Sequence, residues 1–156
     1  MTNAPPVPTP GEEAGREAVL TVASDPKHLR TVRALACAAA HSAGFDRTDA
    51  NSVCLAVDEA CTNVIRHAYL GDPTRRIEIR FRIRSERIDV TVRDWGRKVD
   101  PSAIQPRDLA DVRPGGLGVH FIREIMDEVT YDPGAGDSTE LRMTRRRPAP
   151  KVGGKG

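Results

Sequence analysis

The chain has 156 residues and carries 24 Lys and Arg against 22 Asp and Glu, a formal charge of +2. This length suits one domain with one sizeable core, and the near-balance of charge gives no reason to expect nucleic acid as the main partner. The hydrophobic share of 38%, together with 13 glycines, argues against disorder of the whole chain.

Met1 to Gly15 is Pro-rich and has neither a basic start nor an apolar signal-like stretch, and no later segment reaches the length of a membrane span. The expectation is a soluble, cytoplasmic protein with a disordered lead over 1–15, a folded domain over 16–145 and a basic disordered tail over 146–156. The folded part is expected to open with a strand, Glu17 to Val22. A helix follows, with Ser24 or Asp25 as cap, Pro26 in its first turn, apolar positions from Leu29 to Ala39 and a stop at Gly44.

Asp46 or Thr48 can cap a second, longer helix, whose stripe Ala50, Val53, Cys54, Val57, Ala60, Cys61, Val64 and Ala68 is the core face. It ends at the turn signal Gly71-Asp72-Pro73. Cys37, Cys54 and Cys61 all fall in helical apolar patterns without a CxxC pair, so they read as small core residues in a reducing compartment. Cys54 and Cys61 lie about 10 Å apart along one helix, too far for a disulfide.

Strict alternation follows. Ile77, Ile79, Phe81 and Ile83, then Ile88, Val90 and Val92, alternate with polar residues around Ser85-Glu86-Arg87, which predicts a half-buried antiparallel hairpin. Residues 97–114 include Pro101, Pro106 and Pro114 with little periodicity, and a long irregular segment inside a compact domain suggests a functional lid. Leu117, Ile122, Ile125 and Met126 mark a third helix, and strands are expected near 128–131 and 139–144. Beyond them Arg145, Arg146, Arg147, Lys151 and Lys155 read as a solvated basic tail. The order β-α-α-β-β-lid-α-β-β predicts an α+β fold, a two-layer sandwich with a mixed, mainly antiparallel sheet and helices on one face.

Three boxes carry chemistry. Glu59, Asn63 and His67 are spaced i, i+4, i+8 and share one helix flank with Ser52 and Ala56. A carboxylate and an amide oxygen one turn apart can serve Mg²⁺, which takes few protein oxygens and fills its sphere with phosphates and water; a solvated polar face is the plain alternative. Asp94 continues the inward parity of Ile88, Val90 and Val92, so its carboxylate is expected to point into the core at the strand end. A buried acid needs donors, and the amino group of adenine supplies one where guanine presents an acceptor. Gly96 permits close backbone approach, though an Asp opening an ordinary turn has the same appearance. Thr139 shares inward parity with Leu141 and Met143, which brings a hydroxyl to the same pocket. Gly115-Gly116-Leu117-Gly118 lacks the spacing and Lys of a Walker loop, yet its backbone N–H groups and the following helix start can bind phosphate. His67 and His120 receive no catalytic role, and Trp95 suits a pocket mouth or simple packing.

Glu59-Ala60-x-x-Asn63-x-x-x-His67-Ala68-Tyr69, the glycine box and Ile125-Met126-Asp127-Glu128-Val129 resemble the bacterial anti-sigma-factor serine/threonine protein kinases (RsbW-type) of the Bergerat-fold, or GHKL, ATPase superfamily. The likeness runs from about residue 17 to 145. It implies a histidine-kinase-like ATPase fold that binds ATP and Mg²⁺, with Glu59 as general base, Asn63 as Mg²⁺ ligand and Asp94 as adenine anchor. Gly96, Gly115, Gly116, Leu117, Gly118 and Thr139 would complete the nucleotide site. It further implies a homodimer that holds a sigma factor inactive and phosphorylates a STAS-like anti-sigma-factor antagonist, with neither nucleic acid nor membrane as partner. The rival readings are an ATP-binding regulator without efficient transfer, the ATP-binding half of a sensor histidine kinase, and a gyrase- or chaperone-like ATPase. The proline-rich 97–114 segment and Trp95 depart from the family pattern.

Overall fold

A computed structural model describes residues 15–98, 117–134 and 136–150, with only the backbone of 117–120. Strand β1 (Arg16–Ala23) leads through a short 3₁₀ turn (Pro26–His28) into α1 (Leu29–Ser42), which is followed by α2 (Arg47–Asn63). Strands β2 (Arg76–Ile83) and β3 (Arg87–Asp94) form the hairpin, and α3 (Leu117–Ile125), β4 (Glu128–Asp132) and β5 (Thr139–Arg146) complete the order.

The caps follow the sequence. Asp25 accepts a hydrogen bond from the Lys27 N–H at 3.0 Å, and Asp46 accepts from the Asp49 N–H at 2.8 Å, so each satisfies a helix-start donor. Ser24 is not a cap. It is fully buried and bridges the chain, donating to the Asp72 carbonyl at 2.6 Å and accepting from the Arg75 N–H at 3.1 Å. Gly44, at φ +86°, closes α1 where a side chain would be strained.

The sheet order is β1-β2-β3-β5-β4, and every pairing among these strands is antiparallel, so no parallel pair contributes to the expected mixed sheet. β5 inserts between β3 and β4, which places the last strand in the sheet interior. One face of β2 and β3 buries Ile77, Ile79, Phe81, Ile88, Val90 and Val92 against Val32, Val53 and Val57 of the helices. The other face carries Glu78, Arg80, Arg82, Asp89, Thr91 and Arg93.

Three expectations change. β5 continues through Arg146, and Arg147 donates its N–H to the Glu86 carbonyl at 2.8 Å, so the folded domain runs past residue 145. Arg145 is a staple between helices, not a tail residue: its guanidinium donates to the Ile125 carbonyl at 2.6 Å and to Asp49 at 3.3 Å. Of the cysteines only Cys61 is buried, while Cys37 and Cys54 are half-buried. The lead over 1–14, the tail over 151–156 and the 99–114 part of the expected lid lie outside the described residues.

Phe81 is fully buried in the middle of β2, between Ala18 of β1 and Val90 of β3 in register. Phe81→Ala should lower unfolding stability by about 3–5 kcal/mol through lost transfer energy and a residual cavity. Urea titration should show a reduced midpoint with an unchanged slope.

Candidate nucleotide site

Helix α2 presents Glu59 and Asn63, both half-buried, one turn apart. The regular helix stops there. Val64–Ala68 is a π turn, in which each hydrogen bond spans one residue more than in an α-helix, and the Tyr69 N–H accordingly donates to the Val64 carbonyl at 3.0 Å. His67 lies in this widened turn and is exposed, so the flank proposed from spacing holds Glu59 and Asn63 in regular helix but not His67. Ala56, on the same flank, is fully buried. Leu70, at φ +52°, and Gly71, at φ +82°, then turn the chain away.

The helix end is tied to the sheet. Its last-turn carbonyls have no intrahelical partner, and those of His67 and Ala68 accept hydrogen bonds from Arg97, the first from the guanidinium Nε at 2.8 Å and the second from the backbone N–H at 3.0 Å. Gly96 fits between. A β-carbon there would lie 2.5 Å from the Ala68 carbonyl oxygen and 2.7 Å from the Ala68 β-carbon. The close approach expected at Gly96 is thus to the helix end itself.

Tyr69 adds a second tie. Its buried hydroxyl donates to the Arg76 carbonyl and accepts from the Trp95 N–H at 2.9 Å, and burial raises the phenol above its usual range. Trp95 is half-buried beneath the Arg76 guanidinium, 3.8 Å from its ring centroid, a cation–π stack. Spacing gave Tyr69 no role, although a tyrosine at a buried helix end calls for a hydroxyl partner.

These ties fix the end of β3, where Asp94 is 5% exposed. Its Oδ1 accepts from the Gly96 N–H at 2.8 Å. Burial is the main influence and raises its pKa above the ordinary carboxylate value of 3.8, with the Gly96 hydrogen bond and the Lys98 charge acting in the opposite direction. Lys98 is held by the carbonyls of Pro133 and Ser138, the latter at 3.1 Å. Directly across the β3–β5 ladder from Asp94 stands Thr139, 4% exposed, whose buried hydroxyl has no hydrogen-bond partner among the described residues.

A buried acid and an unsatisfied buried hydroxyl, opposite each other at one sheet end, leave hydrogen-bonding capacity for a polar ligand. Glu59 and Asn63 end the helix docked on that sheet end, and few protein oxygens suit Mg²⁺ completed by phosphates. Leu117 and Gly118 start α3, which packs on α2. Gly115 and Gly116 lie outside the described residues.

The family described as "Histidine kinase-like ATPase domain" matches residues 22–145. A serine-protein kinase RsbW of Bacillus licheniformis is 30% identical over 124 residues, covering 74% of this chain and 78% of that protein. The Bacillus subtilis serine-protein kinase RsbW is 31% identical over 119 residues, 70% of this chain and 74% of its own length. Among solved structures, the RsbU and RsbW domains of Rv1364c from Mycobacterium tuberculosis superpose with a TM-score of 0.59 at 20% identity, covering 86% of this chain and 33% of that longer one. A histidine kinase domain from Erythrobacter litoralis gives 0.51, also at 20% identity, over 86% of this chain and 68% of that one. The two likenesses establish a shared fold.

Gly96→Ala should force the 94–97 segment off the π turn, lower the melting temperature and abolish nucleotide binding, as read by thermal unfolding with and without ATP. The raised Asp94 pKa has a defined sign. In the ligand-free protein the buried carboxylate costs stability when ionised, so this contribution is most favourable below the unfolded pKa and is lost as pH rises through the folded one. A ligand donating to the carboxylate needs it ionised. Nucleotide affinity should therefore fall on acidification, starting above the pH at which a free carboxyl titrates, and Asp94→Asn should remove that limb in calorimetric titrations.

Proposed function

The chain belongs to the histidine kinase-like ATPase family, and on that premise we propose that it is an ATP-dependent protein serine/threonine kinase that also acts as an anti-sigma factor. The observation that carries the nucleotide part is the buried Asp94–Thr139 pair, an acid opposite, in register, a hydroxyl that has no hydrogen-bond partner among the described residues. In this reading Asp94 accepts from the exocyclic amino group of adenine, Thr139 bonds the base edge, and the 115–118 glycines with the start of α3 hold the phosphates.

Phosphoryl transfer asks the protein mainly for positioning and charge neutralisation. Asn63 would ligate Mg²⁺, which when bound neutralises charge on the β- and γ-phosphates. Glu59, one turn before Asn63, faces the same region and takes the proton from the hydroxyl of the incoming serine or threonine. Side-chain placement by a helix anchored through Ala68 and Tyr69 gives this base a fixed approach. The curated relatives carry the name serine-protein kinase, which supports transfer to a protein hydroxyl. The partners in this reading are a sigma factor and a STAS-like antagonist as substrate, with the chain working as a homodimer in the cytoplasm.

Glu59→Gln should retain Mg·ATP yet lose transfer of γ-phosphate to the antagonist by about a hundredfold or more, whereas Asn63→Ala should also lose metal-dependent binding. Wild-type transfer rates in Glu59→Gln would remove the base role. The protein should also prefer ATP over GTP, and Asp94→Asn should weaken ATP by more than about 1 kcal/mol, roughly fivefold. Equal calorimetric affinities of the wild type for the two nucleotides would sink the adenine assignment.

A further inference from the structure

The β3–β5 ladder ends at the pair Asp94–Thr139, and beyond that pair the two chains part. Trp95, Gly96 and Arg97 dock on the helix end, where the Trp95 N–H donates to the Tyr69 hydroxyl at 2.9 Å and the Arg97 N–H to the Ala68 carbonyl at 3.0 Å. On the other side the chain returns from β4 to β5 between Pro133 and Ser138. Ladder hydrogen bonds therefore hold the inner end of the base pocket, and its outer rim needs another tie.

Lys98 supplies it. Its ammonium donates to the Pro133 carbonyl and, at 3.1 Å, to the Ser138 carbonyl, one at each end of the β4–β5 connection. An ammonium can serve both because it carries three donors, and its charge strengthens each bond. The connection is shaped to match. Gly134 stands at φ +66°, its N–H donates to Asp132 Oδ1 at 2.8 Å, and a β-carbon there would lie 2.5 Å from the Ser138 oxygen that Lys98 uses. Ser138 immediately precedes Thr139, so fixing its carbonyl fixes where Thr139 enters the pocket.

Lys98 also acts on Asp94 through space, lowering a pKa that burial raises. Across the ladders Asp94 faces Ile77 of β2 and Thr139 of β5, neither of which ionises in this range. The helix end presents the Tyr69 phenol, whose pKa burial raises, so it is neutral where a carboxyl titrates. Among the described residues Lys98 is thus the cation that favours the ionised carboxylate.

We propose that Lys98 is a positioning residue of the nucleotide site, a clamp between the strand end that carries Asp94 and the turn that delivers Thr139, so that acid and hydroxyl address one base edge together. The inference rests on the nucleotide reading above and adds to it a residue outside the three sequence boxes.

Lys98→Met removes the donors and the charge, whereas Lys98→Arg keeps both. The measurement is calorimetric titration of the full chain with Mg·ATP and with Mg·GTP from acid to neutral pH. At neutral pH Lys98→Met is expected to bind ATP about tenfold more weakly and to lose much of its preference for ATP over GTP. With the cation gone the Asp94 pKa rises further, so the fall in ATP affinity on acidification should begin at a higher pH than in the wild type. Lys98→Arg should bring affinity and acid limb back toward wild type. ATP binding by Lys98→Met that matches the wild type overturns the clamp and leaves the nucleotide reading standing. Equal weakening toward ATP and GTP with an unmoved acid limb does the same, because loosened folding alone would give that result. Absence of ATP binding by the wild type would sink the proposal and the nucleotide reading together.

Discussion

The contact on which the site depends is the one between Gly96 and the Ala68 carbonyl. It joins the end of the sheet strand carrying Asp94 to the end of the helix carrying Glu59 and Asn63. Two hydrogen bonds from Arg97 and the two-way bond of the Tyr69 hydroxyl close the same seam. These carbonyls belong to the last turn, where a helix leaves its final four carbonyls without intrahelical partners, and Arg97 supplies the donors. π turns like this one are frequent at functional sites.

Once that seam is fixed, the electrostatics follow. Burial raises the pKa of Asp94, against the opposing pull of the Gly96 amide and the Lys98 charge. Thr139 reaches the same place from β5 because the β3–β5 register sets the two residues opposite each other. A buried polar pair costs folding energy where its hydrogen bonds are not completed.

The sheet has two unlike faces. One is apolar and packed against α1, α2 and α3. The other is a lattice of arginines and carboxylates in register, with Arg82, Asp89 and Thr144 in one row, Arg80, Thr91 and Arg142 in the next, and Glu78, Arg93 and Glu140 in the third. Exposed charges keep such a face from pairing with apolar surfaces and leave it open to charged ones.

The local features were legible in the sequence because their physics is local. The period-two alternation of 77–83 and 88–92 specified the hairpin and the inward parity of Asp94, Leu141 and Met143 gave that of Thr139, and Asp25, Asp46 and Gly44 marked helix ends. Only the tertiary structure decided the rest. The π turn adds one residue to a helix whose apolar stripe continues across it, so periodicity could not reveal it or move His67 off the ladder. Nor could composition distinguish a basic tail from Arg145 and Arg146, because what orders them is the insertion of β5 between β3 and β4. That the Thr139 hydroxyl lacks a hydrogen-bond partner among the described residues is likewise a property of register, set by which strands become neighbours.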